Sequence, residues 1–156
     1  MIIDERTEFC DAVACNTGAA GTYNLGDLIN MEVARDIGNG QPVYLVISVD
    51  TEIITGGTAG TVAFQLVSDS TSTVATDGTQ TVHYASKAFV TDDTALTELQ
   101  AGEVAVCVAL PMEGVAYEQY LAVQQVTGTT AITAGKVNAF LTLDPMNNKK
   151  SYANAI

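Results

Sequence analysis

The sequence predicts an all-β chain that folds as a jelly-roll-like, two-sheet β-sandwich. Three observations predict this class. The chain of 156 residues contains 20 Thr and 17 Val but only 4 Lys, and β-branched side chains favour the pleated surface of a strand. Apolar residues alternate with a period of two along several segments, which Gly- and Thr-rich turns separate. No apolar pattern is long enough to predict a helix that could cover a sheet.

The clearest strands alternate apolar and polar side chains between turn signals. Pro42 opens the first of them, in which Val43, Leu45, Ile47 and Val49 share one face. Both faces of the segment EVAVCVAL are apolar, which predicts a central position between two layers. Together with shorter pieces, the predicted strands lie at 23–28, 42–50, 61–67, 79–85, 88–90, 103–110, 117–126 and 136–143.

The remaining segments are predicted as connections and arms. The polar stretch 68–79 is expected to be an exposed hairpin loop that turns at Asp77 and Gly78. The stretch 91–100 predicts at most two helical turns, or a strand edge. The predicted organisation is an N-terminal arm and loop at 1–22, a jelly-roll body at 23–145 and a C-terminal tail at 146–156.

Charge and composition exclude several classes of protein. The formal net charge is −12, which disfavours nucleic-acid binding because that binding depends on Lys and Arg neutralising phosphates. No apolar run reaches the roughly 18 residues of a membrane span, and the N-terminus has no apolar signal region, so we expect a soluble protein. Cys10, Cys15 and Cys107 lack the spacing and partners of a zinc site, and they suit a reducing cytosol as free thiols.

No pattern of residues predicts catalysis. The single histidine, His83, lies in a predicted strand, where a half-exposed surface position is the expected environment. There is no GxSxG elbow, and the Gly-rich GGTAGT at 56–61 lacks the Lys and the helix of a phosphate loop. The acidic residues near the start of the chain and at 92–93 lack the spacing of a calcium loop. We therefore expect no catalytic residue, no cofactor and no metal.

The few basic residues lie mainly in the predicted arms and loops. Two interpretations stay open at this point: they keep the arms soluble, or they contact an acidic partner surface while the acidic body faces solvent. The candidate contact residues are Arg6, Arg35, Lys149, Lys150 and Tyr152.

Three stretches together resemble a known family. The chain starts MIID, continues with ARDIGNGQPVYLVISVD at 34–50, and closes with YLAVQQVTGTTAITAGKVNAFLTLDP at 120–145. This order of turns and strands resembles the capsid cement, or decoration, proteins of tailed bacteriophages. Asp36 and Gly38 match the turn of the family pattern and are interpreted as structural. The region 68–100 has no counterpart in the resemblance.

The resemblance implies a jelly roll that sits on the outside of a phage head and ties neighbouring major capsid subunits together against internal DNA pressure. It implies a homo-oligomer, a trimer or a dimer, made in the host cytoplasm, and no enzyme. It brings no partnership with nucleic acid or membranes. The alternative is a carbohydrate- or receptor-binding sandwich of a virion that uses loop-borne aromatic residues, namely Tyr44, Tyr84, Tyr117 and Tyr120.

Overall fold

Two antiparallel sheets form the molecule in a computed structural model that describes residues 5–34, 37, 40–57, 59–92, 97–111 and 114–145. A 3₁₀ turn at Glu5–Thr7 precedes the first strand. The strands are β1 (Glu8–Ala14), β2 (Gly21–Asn30), β3 (Tyr44–Thr55), β4 (Thr61–Asp69), β5 (Thr81–Ala85), β6 (Phe89–Val90), β7 (Val104–Ala109), β8 (Tyr120–Gly128) and β9 (Ile132–Thr142).

The strand order is that of a jelly roll. The first sheet has the order β1-β9-β3-β7, and the second has the order β2-β8-β4-β5, with β6 also paired to β4. From β1 to β4, and again from β7 to β9, successive strands alternate between the two sheets, whereas β4, β5 and β6 all lie in the second. Each sheet is thus assembled from distant parts of the chain. The predicted all-β, two-sheet class is therefore confirmed.

The core lies between the sheets and follows the predicted alternation. In β3, Leu45, Ile47 and Val49 point into it, and in β8 Leu121 and Val123 do the same. Phe64 is fully buried at the centre and contacts Phe89 with tilted rings whose centroids are 6.4 Å apart. Among the described residues, no helix is long and apolar enough to cross a membrane.

Two predicted segments differ from the structure. Residues 8–14 were assigned to the N-terminal arm, but they form β1 and pair with β9, so the sandwich begins at Glu8 rather than at residue 23. The sequence pattern does not reveal this strand, because two register shifts and a positive φ at Ala12 interrupt the alternation of inward and outward side chains. The segment 103–110 was predicted to be central, but β7 is the edge strand of the first sheet.

Other strand boundaries differ from the predicted ones with less effect on the fold. β3 runs to Thr55, five residues beyond its predicted end, and the segment 97–100 lies beside it, where Ile53 donates its backbone N–H to the Leu99 carbonyl at 3.0 Å. The described residues of 91–100 form an isolated bridge between Asp92 and Thr55 and a bend at 98–99, without a helix or a strand, and 93–96 lie outside the described residues. The C-terminal tail at 146–156 also lies outside them.

Candidate interaction surfaces

The predicted contact residues are not brought together among the described residues. Arg6 is exposed in the 3₁₀ turn, between Glu5 and Glu8 at the start of β1. The other predicted residues lie outside the described part of the chain: Arg35, Lys149, Lys150 and Tyr152, as do the turn residues Asp36 and Gly38. The described surface around Arg6 is thus acidic, and contact by the arms stays a prediction.

The segment 70–80, called the flap below, is a mostly exposed hairpin connection between β4 and β5, as predicted, but it is also anchored to the sheet. It folds back over the outer face of the second sheet, where Val74 is buried against Val67 and Ala122. These apolar side chains point away from the main core, so the flap gives the second sheet a small core of its own.

Gln124 holds the flap to the sheet. Its side chain is fully buried, and its amide N–H groups donate to Asn24 Oδ1 at 2.8 Å and to the Ala75 carbonyl at 2.7 Å. Its Oε1 accepts from Gln80 Nε2 at 3.1 Å, and Asn24 in turn donates to the Val74 carbonyl at 2.9 Å. A buried amide with all these partners fixes one geometry, because losing any of them leaves a polar group unsatisfied.

Two aspartates shape the ends of the flap. Asp69 accepts hydrogen bonds from the backbone N–H groups of Ala75 and Thr71, each at 3.0 Å, and Asp77 accepts from Thr79 N and Oγ1. These bonds favour the carboxylate form, so the pKa of each aspartate is lowered below its usual 3.8. The polar, low-complexity sequence is therefore an ordered element.

A serine, a histidine and a glutamate meet beside β5. The ring nitrogen Nε2 of His83 lies 2.7 Å from Ser68 Oγ, and Ser68 Oγ also accepts the backbone N–H of Glu118 at 3.1 Å. The His83 ring stacks on Tyr117 with centroids 3.9 Å apart. Glu118 Oε1 accepts the hydroxyl of Thr81 at 2.7 Å.

This cluster has the residue types of a catalytic triad but not the exposure. Ser68 has 0% of its surface exposed, so its hydroxyl cannot reach a substrate. Burial lowers the pKa of His83, and the nearby Glu118 opposes this only in part. Burial also raises the pKa of Tyr117 to about 12, so its hydroxyl stays a neutral donor to the Pro111 carbonyl. The cluster ties β5 to the loop before β8, which is a structural role.

We expect the pH dependence of stability to report this cluster. The folded-state pKa of His83 lies below its unfolded value of 6.5, so the unfolded chain takes up the proton first. The stabilising contribution is thus present above pH 6.5 and is lost as the pH falls through the folded pKa. Urea unfolding between pH 7 and pH 5 should show a falling free energy of unfolding that is flatter in His83→Gln.

The chain offers a clean background for that measurement. His83 is its one histidine. Glu98 has its pKa lowered below 4.5 by Lys87, and those of Asp69 and Asp77 lie below 3.8, so these three carboxylates titrate below the window. Equal slopes in the two proteins would show that His83 does not carry the effect.

An acidic groove lies beside the start of β1. It is lined by Glu5, Glu8, Asp11 and Asp27, next to the buried Cys10. Among the described residues, no three His, Cys, Asp or Glu side chains converge as a metal site would require. Burial raises the pKa of Cys10 to about 11, so its thiol stays protonated and unreactive at neutral pH.

The four tyrosines of the alternative interpretation do not share a surface. Tyr44 lies in the first sheet, whereas Tyr84 and Tyr120 lie in the second. Tyr84 packs on the main core, Tyr120 packs on the small core under the flap, and Tyr117 is buried against His83. A sugar platform needs exposed aromatic faces side by side, and these residues do not form one.

A family model, Bbp16, matches residues 9–141. The chain belongs to the Bbp16 family. No curated protein matches the chain. The Bbp16 match begins in β1 and ends at the close of β9, so it takes in both sheets, the flap and the Ser68–His83 pair. The matched region therefore coincides with the two-sheet body, and it includes β1, the strand that the sequence assigned to an arm.

Sequence reasoning missed both polar clusters of this Bbp16 body. Gln124 and Gln125 stand together inside an otherwise apolar strand, and that pair of amides was the available signal for buried hydrogen bonding. The contact between His83 and Ser68 had no comparable signal. It depends on a register shift between β4 and β5, opposite Leu66 and Val67, which also puts Val82 and Tyr84 on different faces rather than on the predicted shared one.

Proposed function

We propose that this protein is a phage capsid cement protein, which binds the outer surface of the head and ties neighbouring major capsid subunits together. The observation that carries the proposal is the resemblance of 34–50 and 120–145 to cement proteins of tailed bacteriophages. These stretches supply β3, β8 and β9, which are interior strands of the two sheets. A jelly-roll body is what that resemblance implies, and the strand order supports it.

The proposed partners are the major capsid protein and further copies of this chain, on the outside of the virion after synthesis in the host cytoplasm. An acidic body of net charge −12 suits that place, because the packaged DNA is on the other side of the shell. The arms and the loop before β3 make the capsid contacts through Arg6, Arg35, Lys149, Lys150 and Tyr152. Many copies on one shell add avidity to a weak individual contact.

A reconstitution experiment tests the proposal. Purified full-length protein is mixed with expanded phage heads that lack it, and the heads are sedimented and imaged by electron microscopy. We expect regular density on the outer surface and a head that releases its DNA at a higher temperature than the bare head. Heads that stay bare in the presence of folded protein, with folding verified by circular dichroism, would exclude the function.

The tail charges provide a sharper test of the contact surface. In Lys149→Ala/Lys150→Ala, we expect the affinity for heads to fall about tenfold or more, because each lost contact with an acidic surface weakens binding by up to about 1 kcal/mol. The matched control is Lys87→Ala/Lys136→Ala, which removes the same charge from the body. Lys87 pairs with Glu98 at 2.6 Å, but both side chains are largely exposed, so its loss costs little stability. Equal weakening by both variants would point to net charge rather than the tail.

A further inference from the structure

The edge strand β7 is the least protected sheet edge among the described residues. Leu110 donates its backbone N–H to the Val43 carbonyl at 2.8 Å, which places Leu110 in register with β3. In an antiparallel pair, alternate residues turn their N–H and C=O groups to the same neighbour. Val106 and Val108 therefore face β3, while the backbone groups of Cys107 and Ala109 face away from it. Within the described part of the chain, no strand lies beyond β7.

The other edges carry features that discourage pairing. β1 contains charged Glu8 and Asp11 and two register shifts, and β2 contains a register shift beside Gly26 and Asp27. β5, the other edge of the second sheet, is only five residues long and has a register shift in its middle. Natural sheets commonly protect their edges with such charges and bulges.

β7 reads VAVCVA and has neither a charge nor a proline. Its one register shift lies near its start, which leaves Val106–Ala109 regular. Its surface is apolar as well as unpaired: Cys107 and Ala109 are exposed, and Val104 is 37% exposed. A bare row of N–H and C=O groups flanked by small apolar side chains fits another extended strand.

We propose that β7 pairs with β7 of a second copy of this chain, antiparallel about a twofold axis at Cys107. In that register, Cys107 faces Cys107 of the partner subunit, and Ala105 faces Ala109 of the partner subunit. The two first sheets then join into one continuous eight-stranded sheet across the dimer.

Charge and symmetry both favour a second copy as the occupant. Each copy carries a net charge of −12, so two copies can meet closely only at an uncharged strip, and β7 is such a strip. The twofold register sets Glu103 against Pro111 of the partner subunit, so that the glutamates of the two copies stay at opposite ends. The pairing also uses up both free β7 edges at once, which closes the assembly instead of extending it into a fibre.

This inference deepens the homo-oligomer part of the proposed function, and it is measurable without any phage head. Light scattering after size-exclusion chromatography and analytical ultracentrifugation of the full chain should show a dimer. Cys107→Lys places two ammonium groups opposite each other and should raise the dissociation constant at least about tenfold. Ala109→Lys provides a second variant with the same expected effect, and Thr76→Lys, exposed on the flap, is the matched control that should leave the dimer intact.

Crosslinking locates the interface. Burial raises the pKa of Cys10 to about 11 and that of Cys15 to about 12, so a short bismaleimide at neutral pH reacts at the exposed Cys107. Directly opposed residues in such a pair lie about 5.5 Å apart between Cα atoms, within reach of that reagent. We expect Cys107-to-Cys107 dimers in high yield.

A monomer at all accessible concentrations, a trimer, or a dimer that both lysine variants leave unchanged would overturn the inference. If the protein is a monomer and still binds heads, the β7 dimer is wrong and the capsid function is retained. If it forms the β7 dimer but does not bind heads, the capsid function is wrong and the dimer is retained.

Discussion

Replacing Gly26 with alanine should destabilise the fold by about 3 kcal/mol, which is at the high end for a single substitution. Gly26 lies where β2 passes beside β1 and has a φ of 65°. An added Cβ would stand 2.6 Å from the Cβ of Cys10 and closer still to the backbone carbonyl of Phe9. Backbone atoms cannot move aside as the end of a flexible side chain can. Urea unfolding monitored by circular dichroism measures the loss.

Gly78→Ala separates the two causes of that loss. Gly78 also has a positive φ, 96°, but a Cβ there meets nothing within 4 Å. Its replacement should cost about 1 kcal/mol from backbone strain alone. If the two variants lose equal stability, the close approach of β1 and β2 is not what makes Gly26 costly.

Gln124→Leu should release the flap and lower the free energy of unfolding by about 2 kcal/mol. The substitution puts an apolar side chain of similar size in place of the amide and leaves Asn24, Gln80 and the Ala75 carbonyl without their partner. A broad-specificity protease, followed by mass spectrometry, should then cut within the flap while the rest of the body resists.

Gln125→Leu is the matched control on the opposite face of the same strand. Gln125 donates to the Asn16 carbonyl at 2.9 Å and accepts the Asn16 N–H at 2.8 Å, so it pins the connection between β1 and β2. We expect a comparable loss of stability with cleavage near Asn16 and an intact flap. Flap cleavage in both variants alike would mean that the flap opens through general destabilisation and not through loss of the Gln124 bonds.

The sequence predicted the parts of the strands in which burial alternates regularly. Leu45, Ile47 and Val49 of β3 and Val137 and Ala139 of β9 are buried on one face, so alternation of apolar residues was sufficient there. It missed the ends of the same strands, β3 after Asp50 and β9 before Lys136, where exposed residues interrupt that alternation. It misplaced β7, because the small apolar side chains on its second face, Ala105, Cys107 and Ala109, are the same in sequence whether or not another layer covers them.

The flap and the Ser68–His83 contact depend on residues far apart in sequence. Gln124 is about fifty residues from the flap carbonyl that it binds, and no local pattern pairs the two. A polar stretch with the single apolar Val74 resembles an exposed loop until its partner surface is known. For the predicted contact residues, the limit is different, since four of the five lie outside the described part of the chain.

The pairing of the first strand with the last sets the order of events during synthesis. Cys10 lies opposite Ala139, and β9 lies between β1 and β3. The two halves of the first sheet therefore cannot join until β9, its last strand in the chain, has been made. In a chain emerging from the ribosome, β3 can pair with β7, but β1 has no partner in its sheet until residues 132–142 follow, and only then can the long loop between β1 and β9 close. Completion of the first sheet therefore waits for β9, and closing so long a loop makes folding slow for a domain of this size.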